Sequence, residues 1–104
     1  MISLFRKVLK NTPKTKKYLD SLPKVYGIFL WAKWGIAEVP WSGKFNKDYM
    51  PLVYNYCDCN GTCDEYRLTP INNVSSGAFY NWYSDKDCAE ADRANLNERY
   101  GFNE

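Results

Sequence analysis

Apolar residues recur along this chain with two different periods, and the changes of period divide it into elements. Ile2, Phe5 and Leu9, with Leu4 and Val8 beside them, fall at helical spacing and define one stripe. Asn11-Thr12-Pro13 interrupts that pattern. Thr12 suits an N-cap and Pro13 the first turn of a second short helix, which would run through Tyr18 and Leu19 to stop near Leu22-Pro23. Lys14, Lys16 and Lys17 fall in its early turns, where the helix dipole disfavours cations. Local stability does not explain them, which points towards a partner.

From Lys24 the period shortens. Val25 to Ala32 is β-branched and aromatic and apolar on both faces, which predicts a central strand. Trp34 to Tyr49 is punctuated by Gly35, Pro40 and Gly43 and reads as a loop-rich connection with a short strand at Ile36–Val39. Leu52–Cys57 alternates as a strand, Asn60-Gly61 signals a hairpin, and Asp64–Thr69 returns with Tyr66 and Leu68 on one face. Pro70 to Ser76 reads as a loop, and Ala78–Tyr83 as a further strand. Ser84 as N-cap, Asp85 and Asp87 at the positive end, Ala89, Ala91 and Ala94 inside, and Gly101 as the stop predict a final helix.

The expected architecture is one α+β domain covering residues 1–104. It comprises a basic helical N-terminal segment (1–22), an antiparallel sheet of three to five strands (24–83), and a C-terminal helix (84–100) packed on one face. No repeat, low-complexity tract or linker interrupts it.

Composition adds an excess of rings and an uneven charge. Nine Tyr, five Phe and four Trp exceed what a core of 104 residues needs, so some are expected at a binding surface. Residues 1–24 carry Arg6, Lys7, Lys10, Lys14, Lys16, Lys17 and Lys24 against Asp20 alone, a balance of +6, whereas the remainder carries −4. A positive end suits nucleic acid, an anionic membrane or an acidic protein; the bland alternative is a solvated helix face. No run of apolar residues is long enough to span a bilayer, and the N-terminus lacks a signal peptide's apolar stretch. The chain therefore reads as cytoplasmic, with reduced cysteines as the default and the sequons at Asn60 and Asn73 as coincidence.

Three of the four cysteines, Cys57, Cys59 and Cys63, fall within seven residues at the hairpin. A two-residue turn would set Cys59 opposite Thr62. A three-residue loop of Asn60-Gly61-Thr62 would set it opposite Cys63, with Cys57 on the same face. Cys88, in the first turn of the last helix, could then close a four-thiolate zinc site. The spacing is not that of a zinc ribbon, and a Cys59–Cys63 disulfide or unlinked thiols remain open. Cys88 by itself reads as a small buried core residue. The oxygens of Asp58, Asn60, Asp64 and Glu65 do not match a calcium loop.

The chain contains no histidine, no nucleophile motif and no phosphate-cradling glycine loop, so nothing in it supports catalysis. Binding has more support. Trp34, Trp41, Phe45 and Tyr49 are interleaved with Lys33, Lys44 and Lys47, a pattern that suits a protein hot spot or base stacking with phosphate pairing. The alternative is that two of these rings close the core. The leading expectation is a small non-catalytic protein-binding module, an inhibitor or adaptor of a larger assembly, analogous to accessory proteins of viruses and mobile elements. A nucleic-acid or nucleotide binder that uses Arg6, Lys14, Lys16, Lys17 and the Lys-aromatic segment is the alternative. Membrane-surface attachment through Ile2, Phe5 and Leu9 comes third.

Overall fold

A computed structural model of the chain describes residues 8–57, 61 and 64–102. Its elements are β1 (Val8–Lys10), α1 (Pro13–Asp20), β2 (Lys24–Leu30), β3 (Trp34–Phe45), β4 (Pro51–Cys57), β5 (Glu65–Pro70), a 3₁₀ turn (Ile71–Asn73), β6 (Ala78–Tyr83) and α2 (Lys86–Arg99). The strands form one six-stranded antiparallel sheet in the order β1-β5-β4-β3-β2-β6, so the fold is α+β.

The sheet has one strand more than the upper count expected from the sequence, and another strand is longer than expected. Leu9, placed in a helical stripe by its spacing, lies instead in β1 opposite Tyr66 of β5. Ile2 and Phe5 lie outside the described residues. A three-residue segment gains its conformation from the ladder it joins, which no local period records. Helix within 1–22 is thus confined, among the described residues, to α1. There Thr12 does act as N-cap, its side chain accepting from the Thr15 N–H at 3.0 Å, with Pro13 in the first turn. Lys24 donates to the Leu19 and Leu22 carbonyls at the other end of α1.

The second difference is β3, twelve residues long where a loop with a short strand was expected. Residues 34–40 pair with β2, and Trp41 and Phe45 pair with β4. The ladder is irregular between them, where Gly43 takes a φ of +87°. The breakers mark this handover. Pro40 forms the last pair with β2, Gly43 supplies the left-handed residue, and the Trp41 indole N–H donates to the Lys44 carbonyl at 3.0 Å. One bent strand therefore joins the two halves of the sheet.

Val25, Val39, Val53 and Ile71 form the core on one face, closed by Trp41, Met50, Val74, Phe79 and Trp82. Each such side chain contributes roughly 1.5–3 kcal/mol on burial. Gly27 belongs to this face, where an added Cβ would press on Phe29 and Ile71. On the opposite face Ile28 is buried, α2 packs over β2, β3 and β6, and Ala89 and Leu96 point inward. β2 is therefore buried on both faces, as its composition predicts, but it lies next to the edge strand β6 and not at the centre of the sheet. α2 starts one residue later than expected. Asp85, and not Ser84, is its N-cap, accepting from the Asp87 N–H at 3.0 Å, while Gly101 ends it at φ +75°.

Candidate functional site

β3 divides the predicted binding segment in two. Trp34 and Trp41 are seven residues apart on a regular strand stretch, so they face opposite sides of the sheet at its two ends. Trp34 lies on the α2 side. Its ring contacts Tyr80 (centroids 5.7 Å apart) and Tyr100 (6.2 Å), and its backbone N–H and C=O both bond to the buried Asn97 side chain, at 2.8 and 3.1 Å. This ring is an anchor for α2. Lys33 is in the exposed β2–β3 turn beside it.

At the other end of β3 Trp41 packs against the core, as the alternative reading allowed, while Phe45 and Tyr49 stay open. Trp41 meets Phe45 edge-on at 5.3 Å, and Phe45 meets Trp82 of β6 at 5.8 Å, a contact between strands that are not neighbours in the sheet. Phe45 is nevertheless 44% exposed. Beyond it comes a three-residue loop, 47–49, closed by the Asn46–Met50 pair and held by the Asn46 side chain, which accepts from the Asp48 and Met50 N–H groups at 2.8 and 2.9 Å. The Tyr49 N–H closes this turn on the Asn46 carbonyl, with Tyr49 itself at φ +61°. Such three-residue hairpin loops normally place glycine at that position. A tyrosine there costs about 1 kcal/mol of backbone strain. Tyr49 is 79% exposed, so packing does not offset this. Lys44 and Lys47 are exposed on either side.

The basic N-terminal residues do not join this surface. Trp41 and Val53 are cross-strand partners on the core face, whereas Tyr54 faces the other way and packs against Tyr18 of α1 at 6.4 Å. Lys14, Lys16 and Lys17, all exposed, therefore lie with α1 on the opposite face of the sheet from Trp41. Arg6 lies outside the described residues.

The cysteine site falls largely outside the described residues too, since Cys59 and Cys63 are not among them. Cys57 pairs with Glu65, and the pairing of Cys59 with Thr62 or Cys63 lies outside the described residues. Cys88 is exposed at the start of α2, not buried as expected. Its S–H donates to the Asp85 carboxylate at 3.4 Å, and that carboxylate holds the thiol above its ordinary value. An acidic first turn thus opposes the thiolate a metal requires. Among the described residues no group of His, Cys, Asp and Glu side chains comes together as a metal site.

At the base of the same hairpin, Asp64 takes a φ of +51° and accepts from the Tyr56 hydroxyl at 2.5 Å and the Asn11 amide at 2.9 Å. The Tyr56 bond, then the Asn11 bond, hold its carboxyl below the ordinary range. Glu65 is nearly buried and is lowered chiefly by Arg67 at 2.7 Å, with Lys10 of β1 at 3.5 Å. These groups tie β1 and α1 to the hairpin and read as architecture.

Three rings that the sequence pattern assigned only to strand or helix join the aromatic clusters at the two ends of β3: Trp82, Tyr80 and Tyr100. Their strand or helix positions were legible, but nothing local tells which face of an edge strand remains uncovered. Trp31 shows the reverse case. It is 45% exposed yet pinned, stacked on Phe29, donating to Ser75 at 2.5 Å and seated on Gly35 and Gly77, where any Cβ would collide with its ring.

No protein-family model, no curated protein and no solved structure matches this chain. Among the described residues no helix is long and apolar enough to cross a membrane.

Proposed function

We propose that the chain is a non-catalytic protein-binding module, an inhibitor or adaptor, that engages its partner through the tip of the β3–β4 hairpin. Phe45 and Tyr49 are the anchors, Trp41 and Trp82 the floor beneath Phe45, and Lys44 and Lys47 the polar rim. The observation that carries this reading is Tyr49, a strained, exposed ring where glycine would be cheaper for the fold. Local rules broken without a structural return are a mark of functional positions. Aromatic anchors with few rotatable bonds lose little entropy on binding, and such residues dominate protein hot spots.

The experiment is quantitative affinity capture from the native host with wild type, Tyr49→Gly and Phe45→Ala, each checked for folding. One stoichiometric host protein, recovered by wild type and lost by at least tenfold in both variants, supports the reading. Only background, or capture indifferent to Tyr49→Gly, overturns it.

A second reading rests on α1, whose Lys14, Lys16 and Lys17 form an exposed basic row without an acidic residue in the first turn. That row suits nucleic-acid phosphates. Binding of single- or double-stranded oligonucleotides at low salt, weakening steeply as salt rises and lost on replacing these lysines, would favour it. The row lies on the opposite face of the sheet from Trp41, so it does not form one groove with the tip of the β3–β4 hairpin.

A further inference from the structure

The two edges of the sheet differ. β1, as described, is three residues long and ends in Lys10. β6 is six residues, Ala78-Phe79-Tyr80-Asn81-Trp82-Tyr83, with four rings and no Lys, Arg or Pro. Lysine, proline, shortness and bulges are the usual defences of an edge against a further strand, and of these β6 has only a bulge. Outside the ladder with β2, no backbone group of β6 has a backbone partner among the described residues. The Trp82 N–H donates to the neighbouring Asn81 side chain, at 2.8 Å. A bulge opposite Ile28 and Phe29 adds Tyr80 as the extra residue and increases the local twist. Two-stranded contacts tolerate such twist better than wide sheets do.

The ends of this edge carry opposite charge. α2 follows β6 directly and runs back along it, because Tyr100 reaches Trp34, whose cross-strand partner Leu30 faces Ala78. The C-terminal end of β6 therefore meets Asp85 and Asp87, with Lys86 between them. The N-terminal end lies by Lys33 of the β2–β3 turn and by Arg99, with Glu98 beside it. An antiparallel mate related by a two-fold axis near Tyr80 and Asn81 would set the acidic end of each copy against the basic end of the other. It would also bring together the Tyr80 rings, 49% exposed in the single chain.

We propose that β6 is a homodimer edge, pairing antiparallel with β6 of a second copy to continue the sheet across a two-fold axis. Such an interface is isologous, consumes the edge that forms it and stops at two copies. With one strand and few flanking side chains on each side it falls in the small-interface class, so the dimer is weak, on the order of tens of micromolar.

The test is sedimentation velocity of the full chain from about 5 to about 500 µM, a range bracketing that affinity, with amide hydrogen exchange at both limits. The expected result is a monomer–dimer equilibrium weakened by salt, with β6 amides exchanging more slowly at high concentration. Asn81→Lys, an exposed substitution that sets like charges together at the axis, should shift the dimerisation constant at least tenfold. Three results would overturn the proposal. The first is a monomer throughout. The second is a dimer whose β6 amides are unchanged and which Asn81→Lys leaves intact. The third is open-ended assembly without a dimer plateau. A monomer whose β6 is protected only by an added foreign protein would assign the edge to that protein instead.

Discussion

The two ends of β3 carry similar side chains and do opposite things. At Trp34, α2 lies over the strand, Asn97 bonds to the strand backbone, and the indole is held between Tyr80 and Tyr100. At the other end the Phe45 ring leans on Trp41 and Trp82 while remaining open, and Tyr49 stands exposed beyond it. A tryptophan or phenylalanine becomes an anchor or a contact surface according to what covers it. The covering element here comes from more than fifty residues away in sequence.

The largest test of this contrast is at the anchored end. Trp34→Ala should lower unfolding free energy by about 3 kcal/mol, and Asn97→Ala, which leaves two strand groups without partners, by about 2 kcal/mol. Phe45→Ala should cost about 1 kcal/mol, since only part of the ring is buried. Chemical denaturation of the three variants measures this, and equal losses at both ends would dissolve the distinction.

Tyr49→Gly sharpens it further. Relief of the left-handed backbone should leave stability unchanged or raise it by up to about 1 kcal/mol, offset in part by the entropy of the unfolded glycine. A clear loss of stability would show that Tyr49 is structural, and the proposed contact surface would lose its strongest support.

The smallest effect concerns the hairpin at the other side of the sheet, where Asp64 also adopts a positive φ but has its carboxylate held by Tyr56 and Asn11. Asp64 and Glu65 have folded-state values below their ordinary 3.8 and 4.5. Their stabilisation is therefore complete above those ordinary values and is lost as pH falls through the lower folded-state values. Asp64→Asn should flatten the acid limb of a stability–pH profile measured by urea unfolding and leave stability at pH 7 slightly reduced. An unchanged acid limb would mean that the contacts around Asp64 carry no net linkage.

Much of the fold was legible where the signal is local. Thr12-Pro13 announced α1, the doubly apolar run announced β2, the alternation at 52–57 and 65–69 announced β4 and β5, and Gly101 ended α2. β1 was not legible, because three residues carry too few positions to show a period and Leu9 fits a helical stripe as well as a ladder. β3 was concealed for a different reason. Pro40 and Gly43 are breakers in sequence, yet in the sheet they sit where the strand changes partners and no regular ladder is required. The candidate site was legible as a list of rings and lysines and illegible as a shape, since strand alternation sends Trp34 and Trp41 to opposite faces.

What the chain determines by itself is its inventory: helix caps, strand-forming runs, a surplus of rings, a basic beginning, and no histidine for general base chemistry. These follow from backbone propensity and side-chain chemistry, which act over a few residues. The tertiary structure decided which rings are covered, which edge is left unpaired, and that the basic helix and the hairpin tip lie on opposite faces. Those outcomes depend on what packs against a residue from far along the chain, and burial of that kind has no local signature.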